Sequence, residues 1–290
     1  MNITELLTKS RPNLKPQSIK TYIANIRKIS GTKEIEDLRF LNDPEEIFEK
    51  LEDLKLTMKR NILSSILVLI TATQDFNVEL YKIYSDKLLQ FTTEYKKEIA
   101  KNEKTPTQEK NWTNMDTLSK ITRKLLKEKP SSQNSLIASL YTMQAPQRLD
   151  YYDMELKGPK DELNGDKNYL IITGRNKKTF VFNDFKTSNK YNTVKIRVNK
   201  KLNSIINKFL KLHPERKYLL QNKDGDSMTR NSLGKTIPKI FSSTGKHVTL
   251  NLIRHMFVSE NINIEQTKKQ KEMANVMMHD TSMQLEYAKV

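Results

Sequence analysis

The sequence predicts an α+β fold in two parts. A helical domain spans residues 1–100, and a linker over 101–111 leads to a mainly helical domain over 112–290 that contains a small antiparallel sheet. Apolar residues recur at helical spacing through most of the chain, short alternating segments occur in its second half, and a charged segment interrupted by Pro106 separates the two halves. A chain of 290 residues is long enough for two domains of ordinary size.

The first hundred residues have the periodicity of amphipathic helices. Residues 15–29 carry one apolar stripe, and Pro16 suits the first turn of a helix. Further helices are predicted over residues 57–73 and from residue 77 onward. The apolar run 62–72 is too short to cross a bilayer, and the first ten residues lack the apolar core of a signal peptide. We therefore expect a protein of the cytoplasm or nucleus that is not secreted and does not enter membranes.

The second half adds strands to helices. Three short stretches alternate apolar and polar residues and are separated by turn residues: 168–174, 178–186 and 192–199. Helical periodicity precedes them in residues 115–128 and 135–143, and it resumes after them. The pattern predicts an antiparallel sheet set against several helices.

The charge of the chain is strongly uneven. It carries 51 Lys and Arg against 34 Asp and Glu, a formal net charge of +17. Residues 1–100 hold 16 basic and 15 acidic residues, so residues 101–290 hold 35 against 19. A surplus of this size points to a polyanionic partner, with nucleic acid first, although a basic protein without such a partner is the alternative.

Several kinds of site are excluded by composition. The chain has no cysteine, which removes disulfides, cysteine zinc sites and thiol nucleophiles. It has four histidines, and none is paired at the spacing of metal ligands. We therefore expect neither a metal nor a cofactor.

Two motifs lie near the C-terminus. The segment LNLIRHMFVSE places Arg254 on a largely apolar helix that Thr249 is suited to cap, and an unpaired charge on such a face is costly unless it has a role. His255 beside it is interpreted as structural. The segment MMHDTSMQLEYAKV carries His279 and Tyr287, each of which taken alone also fits a packing residue.

Two further motifs lie upstream. The segment LIASLYTMQAPQRLDYYDMEL carries Arg148, and it looks like an arginine box in which a helix and a tight turn precede the arginine and a strand follows it. In VFNDFKTSNKYNTVKIRV, a predicted hairpin carries Lys186, with Lys190 in the same turn as the alternative. A lone arginine or lysine is more often a surface residue. The information lies in the order Arg, Lys, Arg, His, Tyr, with 106 residues between the arginines, 25 from Arg254 to the histidine and 8 to the tyrosine.

Together these motifs resemble those of tyrosine recombinases and phage-type integrases. The matching parts are the H-x-x-R-H box, the "LGH…Y" ending, the first arginine box and the lysine hairpin. The resemblance covers roughly residues 112–290. It extends more loosely over 10–100, where SIKTYIANIRKI is similar to the first helix of the family's core-binding domain. The Lys-rich, Gly-poor composition and the QEKNW linker resemble integrases of virophages and large DNA viruses.

The resemblance implies an enzyme that cleaves and rejoins DNA strands, a site-specific recombinase or integrase. Arg148 and Arg254 would hold the non-bridging oxygens of the phosphate, and Lys186 would protonate the leaving 5′ oxygen. Tyr287 would attack to form a 3′-phosphotyrosine, and His279 would contact the phosphate or help to deprotonate the phenol. The covalent intermediate conserves the bond energy, so neither ATP nor a metal is required.

The resemblance also implies partners. Double-stranded DNA is the expected substrate, bound by a homo-oligomer, a tetramer on two DNA sites. The N-terminal domain is expected to clamp DNA through basic residues of its helices: Lys20, Arg27, Lys28, Lys59 and Arg60.

Three features depart from the family pattern. Asn251 stands where the first histidine of the H-x-x-R box is expected, and an amide cannot transfer protons at neutral pH. The first arginine box reads APQR rather than TGxR, and Asp150 lies one position early for the usual acidic residue. The interval from His279 to Tyr287 is one residue shorter than is common.

Other functions remain in competition. A type IB-like topoisomerase would use the same set of residues as a monomer. A DNA-binding protein of the same fold that has lost turnover is a second alternative, motivated by Asn251. An RNA-binding protein is the weakest, since no aromatic RNA-reading motif occurs.

Overall fold

The computed structural model describes residues 2–73 and 77–287, except for the side chains of residues 285 and 286. The chain divides into two compact units, Met1–Glu103 and Lys104–Val290, which are described separately. Their boundary falls within the segment predicted to be a linker. The last three residues of the C-terminal motif, 288–290, lie outside the described residues.

The described part of unit 1 is helical. Its α-helices are α1 (Ile3–Ser10), α2 (Pro16–Ser30), α3 (Pro44–Leu51), α4 (Leu56–Ile70) and α5 (Val78–Ala100), with a 3₁₀ helix over Arg39–Asn42. Local sequence explains their ends. Pro16 occupies the first position of α2, and Gly31 ends it with a φ of 75°, a left-handed conformation that glycine adopts without strain.

The core of unit 1 forms around α4. Ile62, Leu63 and Ile66 of this helix are fully buried, as is Ile26 of α2. Tyr84 of α5 is buried as well, and its hydroxyl donates a hydrogen bond of 2.8 Å to the Leu41 carbonyl, which satisfies the polar end of the ring. Burial on almost every side from Ile62 onward explains why the second half of α4 is largely apolar.

Unit 2 contains nine further α-helices in the described residues: α6 (Pro106–Asn111), α7 (Met115–Glu128), α8 (Gln133–Thr142), α9 (Ser188–Tyr191), α10 (Lys200–Lys211), α11 (Arg230–Ile240), α12 (Leu250–Asn261), α13 (Ile264–Val276) and α14 (Thr281–Tyr287). Its strands are β1 (Glu155–Lys157), β2 (Tyr169–Gly174), β3 (Lys177–Phe182) and β4 (Val194–Arg197). The α+β class predicted from the sequence is therefore confirmed.

The sheet is mixed rather than antiparallel. Its order is β1-β2-β3-β4, with β2, β3 and β4 antiparallel to one another and β1 parallel to β2. The prediction of a purely antiparallel sheet was wrong because β1 is only three residues long and too short to show alternation. Among the described helices, none is long and apolar enough to cross a membrane.

The predicted strand 178–186 ends early, at Phe182. The backbone N–H groups of Asn183 and Asp184 donate to the side-chain oxygen of Asn168, at 2.9 and 3.0 Å, instead of joining the ladder. Lys186 therefore lies beyond the strand, in the connection between β3 and β4 that contains α9. A side chain that competes for backbone donors in this way is not visible in an alternating pattern.

Residues 106–111 of the predicted linker form α6. Thr105 and Gln108 make a reciprocal capping box at its start. The helix has no buried residue, so its sequence lacks the apolar stripe from which a helix can be predicted. The end of α6 and the residue after it are held within unit 2, because the His247 N–H donates to the Asn111 side chain and Lys246 Nζ donates to the Trp112 carbonyl.

Candidate functional site

The most informative feature of unit 2 is a cavity of about 180 Å³. Three distant parts of the chain line it: the segment after α8, the β3–β4 region and α12. The lining residues are Gln147, Arg148, Asp150, Phe182, Phe185, Thr187, Val194 and Arg254. The fold thus brings together Arg148 and Arg254, two predicted site residues that are 106 positions apart.

The backbone around Arg148 is held by side chains from neighbouring elements. The hydroxyl of buried Tyr141 donates to the Arg148 carbonyl at 3.2 Å, and the Asn199 amide donates to the Met143 carbonyl. Behind the loop, the Tyr151 ring packs edge-to-face against Tyr141 and Phe180. These contacts make the segment rigid without using the guanidinium of Arg148.

The two guanidinium groups retain free donors. Arg254 uses one, from Nη1 to the Pro146 carbonyl at 2.7 Å. Within the described part of the chain, Arg148 makes no side-chain hydrogen bond or ion pair. An arginine has five N–H donors, so both side chains can still bind an oxyanion in a forked geometry.

Burial and charge act together on Arg254. Its partial burial lowers the pKa of the guanidinium, and the positive charge of Arg148 lowers it further, whereas Asp150 acts in the opposite direction. Arginine remains protonated at neutral pH despite such shifts. Two cations that repel one another in a partly enclosed cavity favour the binding of an anion.

Thr249 caps α12 as the sequence predicted. Its hydroxyl accepts a hydrogen bond from the Leu252 N–H at 3.3 Å. Leu252, Ile253 and Met256 are buried, which fixes the helix while Arg254 faces the cavity. The apolar residues of α12, which would make an unpaired arginine costly, therefore pack into the core and hold the helix that carries Arg254 in place.

Lys186 lies next to the cavity in sequence. It is exposed, and its neighbours Phe185 and Thr187 both line the cavity. Lys190 is also exposed, and its ammonium lies 5.3 Å from the centre of the Tyr191 ring. The two candidate lysines therefore differ in position. Both sequence neighbours of Lys186 line the cavity, whereas neither sequence neighbour of Lys190 does.

A lysine within the sheet itself is unavailable to a substrate. Lys178 of β3 is 2% exposed, and its ammonium donates to Asn203 and Asn207 of α10 and to the Arg175 carbonyl. Burial lowers the pKa of this group. It ties the β2–β3 turn to α10 and supports the sheet.

His279 and Tyr287 form a separate pair. Their rings are stacked with centroids 5.7 Å apart. The Nδ1 atom of His279 is 2.9 Å from the Asp280 carbonyl oxygen, and its Nε2 atom is buried with no hydrogen-bond partner among the described residues. Tyr287 is 64% exposed. Neither residue lines the arginine cavity.

Asn251 and His255 are both exposed on α12. Asn251 lies one helical turn before Arg254 but does not line the cavity. His255 was interpreted as a structural residue that bridges neighbouring backbone, but its exposed side chain makes no hydrogen bond among the described residues. An exposed side chain on a helix whose opposite face is buried follows from the helical period.

Sequence reasoning missed one charged residue of this region. Arg230, the first residue of α11, forms an ion pair of 3.0 Å between its Nη2 atom and Oδ1 of Asp150. Thr229 caps this helix, so a cap was the only local signal. Nothing in a linear pattern relates Arg230 to a carboxylate 80 residues earlier.

Asp150 itself is almost enclosed, with 5% exposure. Burial raises the pKa of its carboxyl, and Asp184 acts in the same direction, while Arg230, Arg148 and Arg254 lower it. Its backbone carbonyl accepts a hydrogen bond of 3.1 Å from Asn168. The carboxylate is thus the negative group that accompanies the arginines in the cavity lining.

The predicted DNA contacts of unit 1 lie on α2 and α4. Lys20 is exposed, the Lys28 ammonium lies 3.0 Å from the Met58 sulfur, and Arg27 lines a second cavity whose lining also includes Glu34. Lys59 lies over the Phe91 ring and Arg60 over the Tyr95 ring, at 5.2 and 4.2 Å from the centroids. Rings of α5 therefore orient the two basic residues of α4.

The described residues contain no cluster of three or more His, Asp or Glu side chains suited to hold a metal ion. The titratable groups of the site are instead the arginines, Lys186, Asp150 and the His279–Tyr287 pair.

Comparisons with known proteins add little to this geometry. No family model and no curated protein matches the chain. It is similar to a solved structure described as XerA recombinase, with 10% sequence identity over 91% of this chain and 86% of that chain, at a TM-score of 0.38. A likeness at this level establishes neither a family nor an activity.

Proposed function

We propose that this chain is a tyrosine-type DNA recombinase or integrase that cleaves and rejoins strands through a covalent phosphotyrosine. The single observation that carries the proposal is the cavity lined by Arg148 and Arg254, beside the connection that bears Lys186. Two arginines with free donors suit the non-bridging oxygens of a phosphodiester, where negative charge increases during attack.

In the proposed reaction, the Tyr287 hydroxyl oxygen attacks phosphorus and the bond from phosphorus to the 5′ oxygen breaks. The phenolic proton passes to the neighbouring His279, whose Nε2 atom has no partner among the described residues. Lys186 gives a proton to the leaving 5′ oxygen. The 3′-phosphotyrosine that results is later attacked by a 5′ hydroxyl, which reverses each proton transfer and restores the strand.

For this chemistry, the His279–Tyr287 pair must come close to the arginine cavity. Reacting atoms have to approach to about 3–3.5 Å. Since neither His279 nor Tyr287 lines the arginine cavity, the proposal includes a movement of α14 toward the cavity when DNA binds. The substrate of the proposed enzyme is double-stranded DNA, which a homo-tetramer of the chain holds.

Charge supports the choice of DNA as the substrate. Residues 101–290 carry a net charge of +16, and an excess of Lys and Arg of this size favours phosphate backbones. Unit 1 is proposed to add contacts through α2 and α4, where Lys20, Lys28, Lys59 and Arg60 lie. Arg27 of α2 belongs to the same proposed set.

The test is a covalent trap. The protein is incubated with a duplex that carries a nick just beyond the cleavage position, so that the released fragment diffuses away and religation fails. We expect a protein–DNA band that survives denaturation and is removed by protease. Since the target sequence is open, a pool of duplexes of random sequence supplies the substrate.

A second candidate function is DNA binding without turnover. It is favoured by Asn251 in the histidine position and by the absence of His279 and Tyr287 from the cavity lining. It predicts tight, salt-dependent binding and no denaturation-resistant band in any pool. A topoisomerase would form the band but relax plasmids without joining strands from two duplexes.

A further inference from the structure

The arginine cavity contains a carboxylate, which is expected to compete with an incoming anion for the two arginines. Asp150 lines the cavity with Arg148 and Arg254, and it is 5% exposed. A carboxylate so close to two guanidinium groups would be their natural ion-pair partner. An incoming phosphate would then have to displace it.

The observed pairing is different. Asp150 Oδ1 is bonded to Nη2 of Arg230 at 3.0 Å, and no ion pair joins Asp150 to either cavity arginine within the described residues. Arg230 does not line the cavity. The Asp150 carboxylate thus pairs with a third arginine, which belongs to another helix, α11.

Arg230 is well placed for this task. It is the first residue of α11, whose start is fixed by the Thr229 cap. Its guanidinium also lies 5.9 Å from the centre of the Tyr152 ring. Its side chain is 50% exposed, so the pair joins a solvated cation to an enclosed carboxylate. The Asp150 backbone carbonyl accepts a hydrogen bond from the Asn168 amide, which keeps the residue, and with it the carboxylate, beside the cavity.

We propose that Arg230 is a positioning residue that binds the Asp150 carboxylate and thereby leaves Arg148 and Arg254 free to hold a phosphate. The inference rests on the proposed function only for the identity of that phosphate as DNA. If Arg230 is removed, Asp150 turns to a cavity arginine and competes with the anion. If Asp150 is neutralised as well, the competition disappears.

The experiment measures binding of inorganic phosphate to the full chain. The rise in Tm with phosphate concentration is recorded at constant ionic strength, and the share of the rise that is lost in Arg148→Ala reports the cavity. The variants are Arg230→Gln, Asp150→Asn and the two combined, with Arg230→Lys as the conservative change. Arg123→Gln is the matched control, because it breaks an Arg–Asp pair with Asp116 on the surface of α7.

We expect Arg230→Gln to weaken phosphate binding by about tenfold, equivalent to about 1.4 kcal/mol. The combined Asp150→Asn, Arg230→Gln protein should regain at least the original affinity, and Arg230→Lys should lie close to the unmodified chain. Arg123→Gln should change nothing. A merely structural role for Arg230 predicts no recovery when a second substitution is added.

Three outcomes would overturn the proposal: unchanged phosphate binding in Arg230→Gln, no recovery in the combined variant, or no Arg148-dependent binding in the unmodified chain. Each is independent of strand cleavage. A chain that binds phosphate as expected but never forms a covalent DNA adduct would contradict the proposed function and leave this inference standing.

Discussion

The imidazole of His279 and the phenol of Tyr287 are stacked, with ring centroids 5.7 Å apart and planes inclined by 30°. The Nε2 atom of the histidine is buried without a partner among the described residues, so its hydrogen-bonding capacity is unused. In the reaction proposed above, this nitrogen accepts the phenolic proton of Tyr287.

Substitution of Tyr287 by Phe is the most direct test of this pair. The change removes one hydroxyl and keeps the ring that stacks on His279. We expect Tyr287→Phe to abolish the covalent adduct and to leave duplex affinity within about twofold, since phosphate contacts dominate binding. Adduct formation on nicked duplex and binding by fluorescence anisotropy are measured on the same preparation.

Tyr191 offers a matched control, since it is also exposed and lies in the β3–β4 connection. Tyr191→Phe should form the adduct at the normal rate. An adduct that persists in Tyr287→Phe would move the nucleophile to another tyrosine and overturn the assignment.

The two cavity arginines should act on the transition state. Arg148→Ala and Arg254→Ala are each expected to slow cleavage by about 10²–10³, the loss of about 2.7–4 kcal/mol that accompanies removal of one oxyanion contact. Single-turnover rates on nicked duplex give the comparison. Arg123→Ala, which changes an exposed arginine of α7, is the control and should cleave normally. Equal rates in all three variants would exclude the cavity as the reaction site.

Lys186 should be distinguishable from Lys190 by the leaving group. A sulfur atom in place of the 5′ oxygen leaves without a proton, so a missing general acid is no longer felt. We expect Lys186→Ala to cleave the oxygen substrate about 10²–10⁴ times more slowly and the sulfur substrate almost normally. Lys190→Ala should behave like the unmodified chain on both. A rescue seen for Lys190→Ala instead would exchange the two roles.

Asn251 tests the departure from the family pattern. If it occupies the histidine position of the H-x-x-R box, Asn251→His should retain or raise the cleavage rate, because an imidazole adds a group that exchanges protons near neutral pH. The rate is measured from pH 6 to 8 on the nicked duplex. A strong loss of activity would place Asn251 in a different role.

DNA affinity should fall steeply with salt. The net charge of +16 on residues 101–290 implies that several phosphates are neutralised, and each releases condensed counterions. We expect the logarithm of the binding constant to fall linearly with the logarithm of salt concentration, by about 10³ or more between 50 and 200 mM. Anisotropy titrations at four salt concentrations measure the slope. A binding constant that barely changes would point to a partner other than nucleic acid.

Local features of the sequence carried much of the fold. The apolar stripe after Pro16 predicted α2 to within a residue at each end, and Thr249 predicted the start of α12, because periodicity and caps depend only on neighbours along the chain. The alternation of apolar and polar residues did not reveal β1, since a strand after Arg148 was implied by the resemblance alone, and its parallel pairing with β2 was not predicted. The alternation also overran β3, where the Asn168 side chain takes the backbone donors of residues 183 and 184.

For the site, the sequence by itself determined which residue types are available and in what order: two arginines, a lysine, a histidine and a tyrosine. Only the tertiary structure decided which of them share a cavity. Arg148 and Arg254 meet because α8 and α12 pack into one core, and Arg230 reaches Asp150 from α11. Which arginine pairs with a carboxylate depends on distance and burial in three dimensions, and the spacing of residues along the chain specifies neither quantity.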